Sequence, residues 1–128
     1  IIICISTDIG GYVFGKLFKG PKLTKISPNK TYAGMFGGYF LSILIFNIFL
    51  NYSAHFNYYY IQFTPEAFIL VLLISSVSQF GDLVVSYFKR LSKIKNTGKI
   101  LPGHGGLLDR VDGLIFAVPF AYILFKIF

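Results

Sequence analysis

The sequence predicts an all-α fold, a polytopic transmembrane helical bundle with about four spans, and three observations carry that expectation. Residues 31–65, a run of 35 between Lys30 and Glu66, contain no Asp, Glu, Lys or Arg. Apolar side chains make up 55% of the 128 residues and charged ones 13%, about half the roughly 25% charged of a soluble domain. The net charge of +7 is concentrated, because eleven of the twelve Lys and Arg residues fall in Lys16–Lys30 and Lys89–Arg110.

A helix crossing about 30 Å of hydrocarbon takes about 20 mostly apolar residues, and it satisfies its backbone polar groups within itself. Ile1–Phe14, Ala33–Asn51, Pro65–Arg90 and Val111–Phe128 fit that description. The third has readable limits. Thr64 is a fitting N-cap, Pro65 suits the first helical position, Glu66 complements the positive helix end, and Lys89 with Arg90 marks the other end. The chain opens on Ile1 inside an apolar run, so it is expected to be the C-terminal piece of a longer protein.

The two basic segments are expected on the cytoplasmic side by the positive-inside rule. Tyr52–Thr64, rich in Tyr, Asn and Phe and without Lys or Arg, suits the opposite interface. Lysines flanking apolar spans mark topology and headgroup contact, so nucleic acid is not an expected partner. The lone Cys4 excludes an internal disulfide and is expected to be a buried structural thiol.

Of five acidic residues, Asp8, Asp82, Asp109 and Asp112 lie near the cytoplasmic ends of spans. A carboxylate at membrane depth costs ~2.5–3.5 kcal/mol and normally faces a polar cavity with a partner or a cation. Asp82 stands seven residues before Lys89, roughly 10 Å below that helix end. Ser75, Ser78, Gln79, Asp82, Ser86 and Lys89 or Arg90 recur at helical steps and form one polar face. The serines read as interhelical hydrogen-bonding groups, and Asp82 reads as a site residue. Asp8 reaches a similar depth; a structural partner and a site role are equally open for it, while Gly10 and Gly11 suit close helix packing.

Chemistry is densest over Leu101–Gly113. Gly103, Gly105 and Gly106 surround His104, a composition whose backbone N–H groups can approach an anion, with His104 as a phosphate donor. Asp109 and Asp112 are three apart and share a helical face. Mg²⁺ takes one or two carboxylates plus substrate phosphates, which Asp82, Asp109 and Asp112 can provide. Lys89, Arg90, Lys93, Lys95, Lys99 and Arg110 would neutralise a triphosphate and a lipid phosphate. In the other basic loop a plain turn with an interfacial Lys30 is the favoured reading; the alternative is that Ser27 caps a helix opening at Pro28, with Lys30 meeting an anion there.

Ser78–Asp112, with Gly81-Asp82, Lys89-Arg90, Lys95, Gly98, Leu101-Pro102-Gly103-His104-Gly105-Gly106 and Asp109-Arg110-Val111-Asp112, resembles the signature of the phosphatidate cytidylyltransferase (CDP-diacylglycerol synthase) family. Asp8 with Gly11-Tyr12, Gly15-Lys16-Leu17-Phe18, and Ser27-Pro28-Asn29-Lys30-Thr31 resemble that family's upstream motifs. The resemblance implies that residues 1–128 are a single transmembrane catalytic domain of a multi-pass protein of the cell inner membrane, often a homodimer, with its active site facing the cytoplasm. It implies transfer of CMP from CTP to phosphatidic acid, giving CDP-diacylglycerol and pyrophosphate, with Mg²⁺ and a second, monovalent cation as cofactors and the lipid bilayer as surroundings.

By that likeness Asp82 and Asp109 ligate the metal, and Lys89, Arg90, His104 and Asp112 complete the catalytic set. Ser27, Lys30, Thr31, Lys95, Gly105, Gly106 and Arg110 bind the substrate phosphates. The chain departs from the family pattern at Ala33 and Val85, where Glu is usual, and at Asn96, where Asp is usual. These departures leave the expected metal carboxylates in place. Two other readings share parts of the pattern: a CTP-dependent polyprenol or phytol kinase, and a degenerate non-catalytic membrane protein or transporter. The aspartate pattern of the CDP-alcohol phosphotransferases is absent.

Overall fold

A computed structural model of the chain describes residues 1–23, 25, 30–56, 62–91 and 108–127, with backbone alone for 108–112. The expected aromatic loop beyond Phe56 and the glycine-rich loop therefore lie largely outside the described residues. Four helices follow one another: α1 (Ile2–Phe18), α2 (Tyr32–His55), α3 (Pro65–Leu91) and α4 (Leu108–Ile127). Among the described residues there is no β-strand; one isolated bridge pairs Lys22 with Thr31. Each expected span has a helix, and most run somewhat longer than the apolar pattern, because capping groups set their ends.

The caps are specific. Thr64 Oγ1 accepts from the Ala67 N–H at 3.2 Å, as expected at the start of α3. α2 opens at Tyr32, one residue before the expected apolar span, and the Thr31 hydroxyl caps it by accepting from the Gly34 N–H at 3.1 Å. The alternative helix opening at Pro28 lies outside the described residues; Thr31 itself is extended and bridged back to Lys22. Lys19 ends α1 in the left-handed region, φ 39°, with its N–H bonded to Gly15 O at 3.2 Å.

α1 and α2 form an antiparallel pair in almost direct backbone contact. A Cβ at Gly10 would lie 2.6 Å from Gly37 O and 2.9 Å from the Gly38 Cα, and one at Gly34 would lie 2.6 Å from Gly11 O. Gly37 receives the Phe14 ring. Glycines at three- and four-residue steps on both helices make this approach possible, as in small-residue packing of membrane helices. α3 runs antiparallel to α2, tied by Tyr39 Oη to Ser76 Oγ at 2.8 Å and by the Gln79 amide, which donates to Met35 O at 3.4 Å. It touches α1 through Thr7 Oγ1 and Ser75 Oγ at 2.9 Å. α4 lies antiparallel on α3, with Phe116 over Gly81 and Gly113 over Ser78, and carries Pro119 within the helix.

Burial is inverted relative to a soluble core. Ser42, Ser75, Ser78, Thr7 and Cys4 are buried, whereas Phe36, Phe40, Ile48, Phe80, Tyr122 and Phe125 face outward. The apolar core is small: Ile3, Cys4, Val71, Ile74 and Ala117. Small and polar inside with large apolar residues outside suits helices whose surroundings are hydrocarbon. Tyr32–His55 and Pro65–Leu91 are long and apolar enough to cross a membrane; the apolar part of α4, Gly113–Ile127, is shorter.

Gly34→Ala should lower thermal stability measurably, by about 1–3 kcal/mol for an overpacked contact, because its methyl meets the α1 backbone. Gly20→Ala, whose nearest neighbour would be Ala33 Cβ at 3.6 Å, should leave the melting temperature in detergent nearly unchanged. Equal shifts in the two variants would remove the case for the α1–α2 contact.

Candidate active site

Asp82 is where three segments of the chain converge. On α3 it follows Gly81, and its side chain is 22% exposed. Its Oδ2 lies 3.3 Å from the Lys30 Nζ, on a side chain 32% exposed. Lys30 is held in place by its backbone: its carbonyl accepts from the Leu23 N–H at 2.8 Å, and the next residues are fixed by the Tyr32 N–H donating to Pro21 O at 3.2 Å and by the Thr31 cap. A partly exposed ion pair of this kind contributes only ~0.2–1 kcal/mol, so it matters for placement more than for stability.

The third segment is the start of α4. A Cβ at Gly113 would run into Ser78 Oγ and would lie 3.0 Å from Asp82 Oδ1. The helix passes over the Ser78–Asp82 turn because nothing projects from position 113. Asp109 and Asp112 stand four and one residues before Gly113 in the same helix, so the backbone of the expected second carboxylate lies about one turn from the contact. Arg110 belongs to the same turn.

Beneath Asp82 the polar face of α3 continues inward. Ser78 Oγ is buried and makes no conventional hydrogen bond among the described residues; the Cys4 thiol, a weak donor, is its polar neighbour. Ser75 is shared with Thr7 and Gln79 with α2, so the stripe serves as interhelical hydrogen bonding at its deep end and becomes ionic at Asp82. Lys89 is half-buried and Arg90 exposed, both in the last turn of α3.

Among the expected site residues, the described side chains of Asp82 and Lys30 meet directly, and Thr31 is engaged as the α2 cap. Lys89 and Arg90 lie seven and eight residues further along Asp82's helix. Ser27, Lys95, His104, Gly105 and Gly106 lie outside the described residues, as does Asn96 among the departures. Asp8 is exposed on α1 and takes part in an interaction of its own. Ala33 lies at the start of α2 beside Gly20 and Val85 lies on α3. Sequence reading did not single out Cys4, Thr7 or Gly113 as neighbours of the site. The recurrence of Gly10, Gly11 and Gly15 against Gly34, Gly37 and Gly38 was the available signal for α1 packing.

Comparison with known proteins gives this arrangement a family. The chain is 43% identical over 127 residues to the phosphatidate cytidylyltransferase of Staphylococcus aureus strain COL, covering 96% of this chain and 46% of that protein. It is 42% identical over 127 residues to that of Staphylococcus epidermidis strain ATCC 35984, with the same coverage. With that of Bacillus subtilis strain 168 the identity is 40% over 129 residues, covering 99% of this chain and 46% of the relative. The chain thus spans about half the length of the curated relatives it matches. The sequence profile of the cytidylyltransferase family matches residues 1–128 from end to end, and the chain belongs to that family.

Proposed function

We propose that this chain is the C-terminal catalytic half of a phosphatidate cytidylyltransferase, which transfers CMP from CTP to phosphatidic acid and releases pyrophosphate. The observation that carries the reading is the convergence on Asp82 of a lysine from the segment before α2 and the glycine face at the start of α4. It puts a carboxylate, a cationic side chain and the Asp109–Asp112 turn within one small region. The curated relatives named above carry that activity in their names.

The donor chemistry suits a hard cation. Asp82 offers a carboxylate, Ser78 a buried hydroxyl oxygen next to it whose polar neighbour among the described residues is the Cys4 thiol, and Asp109 is proposed as the second carboxylate. Among the described residues no three His, Cys, Asp or Glu side chains form a cluster, so further oxygens come from the Asp109 turn and from substrate phosphate. Mg²⁺ held there would neutralise charge on the triphosphate and polarise the phosphorus under attack, and a second, monovalent cation is part of the same proposal.

The protein's own residues supply position and charge. Asp82 and Asp109 orient the metal-bound nucleotide. Lys89, Arg90, Lys95 and Arg110, with His104 and the Gly105-Gly106 backbone, hold phosphate oxygens, and Lys30 with Ser27 closes the other side. A phosphate oxygen of phosphatidate attacks the α-phosphorus of CTP, and the bond to the β-phosphate oxygen breaks as pyrophosphate leaves. Such transfers are driven mainly by positioning and electrostatics. The active site faces the cytoplasm of a multi-pass protein in the inner membrane, with all four helices as spans.

Full-length protein given CTP, Mg²⁺ and phosphatidate should yield CDP-diacylglycerol and pyrophosphate in equal amounts. CDP together with a phosphorylated lipid would instead establish a kinase, and no CTP-dependent product would establish a non-catalytic relative.

Asp82→Asn and Asp109→Asn should each lower turnover about 10²-fold or more at saturating Mg²⁺ while the protein still inserts. Asp112→Asn should lose less. Near-normal turnover of the first two variants would reject the cation assignment.

α2, with 24 residues, is long enough at ~1.5 Å per residue to cross the hydrocarbon. Cysteines introduced at Lys22 and His55 should therefore react with a membrane-impermeant thiol reagent from opposite sides, position 22 from the cytoplasm. Labelling of both from one side would end the topology.

A further inference from the structure

We propose that Lys30 is a tethered counter-ion of Asp82: in substrate-free protein its ammonium holds the carboxylate that the metal cation needs, and it is handed to the triphosphate when nucleotide and cation bind. The inference rests on the cytidylyltransferase reading above and concerns an exchange that the reading does not require.

Geometry separates the two carboxylate oxygens. Oδ2 is 3.3 Å from the Lys30 Nζ, while Oδ1 faces the α4 side, 3.0 Å from where a Cβ on Gly113 would stand. A cation joining Asp82 to the start of α4 approaches the same single negative charge that Lys30 already neutralises. Two cationic groups on one carboxylate repel each other at short range. The arrival of a triphosphate, with several negative charges, removes that conflict by giving the ammonium a second place to go.

The pair is built to exchange. Both side chains are partly exposed, at 32% and 22%, so the packing of these helices does not seal the pair. The Lys30 backbone is pinned by the Leu23 N–H at 2.8 Å and by the Thr31 cap, whereas its four-carbon stem is flexible. Only side-chain rotation, a picosecond-to-nanosecond event for an exposed residue, separates the two positions. The ion pair is also not needed to join α2 and α3, because Tyr39–Ser76 and Gln79–Met35 already do so.

The test uses full-length protein in phosphatidylcholine nanodiscs, with Mn²⁺ binding followed by electron paramagnetic resonance. Without nucleotide, Lys30→Met should bind Mn²⁺ about two- to fivefold more tightly than wild type, the range expected for loss of one competing partly exposed ion pair. With saturating CTP the order should reverse, since the lysine then helps hold the phosphates. Asp82→Asn should lose the site in both conditions. An unchanged or weaker Mn²⁺ affinity of Lys30→Met without nucleotide, or Mn²⁺ binding that survives Asp82→Asn, overturns the proposal.

Wild-type protein gives a second reading that does not depend on a variant folding. Acylation of the Lys30 amine by a water-soluble ester, read by peptide mass spectrometry, should rise with Mg²⁺ alone and fall again when CTP is added. Labelling indifferent to Mg²⁺ overturns the exchange. If wild type forms no CDP-diacylglycerol from CTP and phosphatidate, the functional reading itself fails; if it does form it while these binding shifts are missing, only the exchange fails.

Discussion

The distance at which α2 can approach α1 governs the rest of the bundle. With no side chain at Gly10, Gly34, Gly37 or Gly38, the two backbones touch, and the connection between them can fold back on itself through the Lys22–Thr31 bridge. That return path delivers Lys30 to α3 in a fixed register. Any side chain wedged between α1 and α2 would shift the start of α2 and, with it, the basic residue that meets Asp82. Close backbone approach between glycine faces is how helices associate where dispersion and backbone contact replace a hydrophobic drive.

A second constraint follows from the first. With many large residues facing outward, the interior combines a small apolar core of Ile3, Val71, Ile74 and Ala117 with hydroxyls, a thiol and glycine backbone. Thr7, Ser75, Tyr39 and Ser76 satisfy one another in pairs across helices, which fixes how α1, α2 and α3 pack. Ser78, one turn from Asp82, differs: among the described residues its buried oxygen has the weakly bonding Cys4 thiol as its polar neighbour and no conventional partner.

Much of this was legible in the sequence. The uncharged run after Lys30, the apolar lengths and the Thr64-Pro65-Glu66 start gave the all-α architecture and the limits of α3 closely, because cap chemistry and hydropathy act locally. Asp82 stood out for a similar reason: a carboxylate two turns inside an apolar helix has few innocent explanations. What the sequence did not yield depends on neighbours distant along the chain. Lys30 reads as a phosphate contact from its loop, and only the fold brings it against Asp82. Thr31 was not singled out as the cap of α2, because Ser27-Pro28 and Thr31-Tyr32 both carry the composition of a helix opening. Gly113 looked like the tail of a motif, while its importance lies in what it allows Ser78 and Asp82 to touch.

The face that α4 presents to α3 is defined by absent atoms. Gly81 makes room for Phe116, and Gly113 lets the α4 backbone close over buried Ser78 beside Asp82. Function is usually mapped by subtraction, removing a side chain and asking what chemistry went with it, and that approach is blind at such positions. Here the informative perturbation is additive: one methyl group inserts matter where the helices meet and displaces a whole helical end without deleting any donor, acceptor or charge. In a tolerance map of this chain, residues with no reactive group of their own would rank among the most sensitive positions, and their intolerance would report how closely the helices approach.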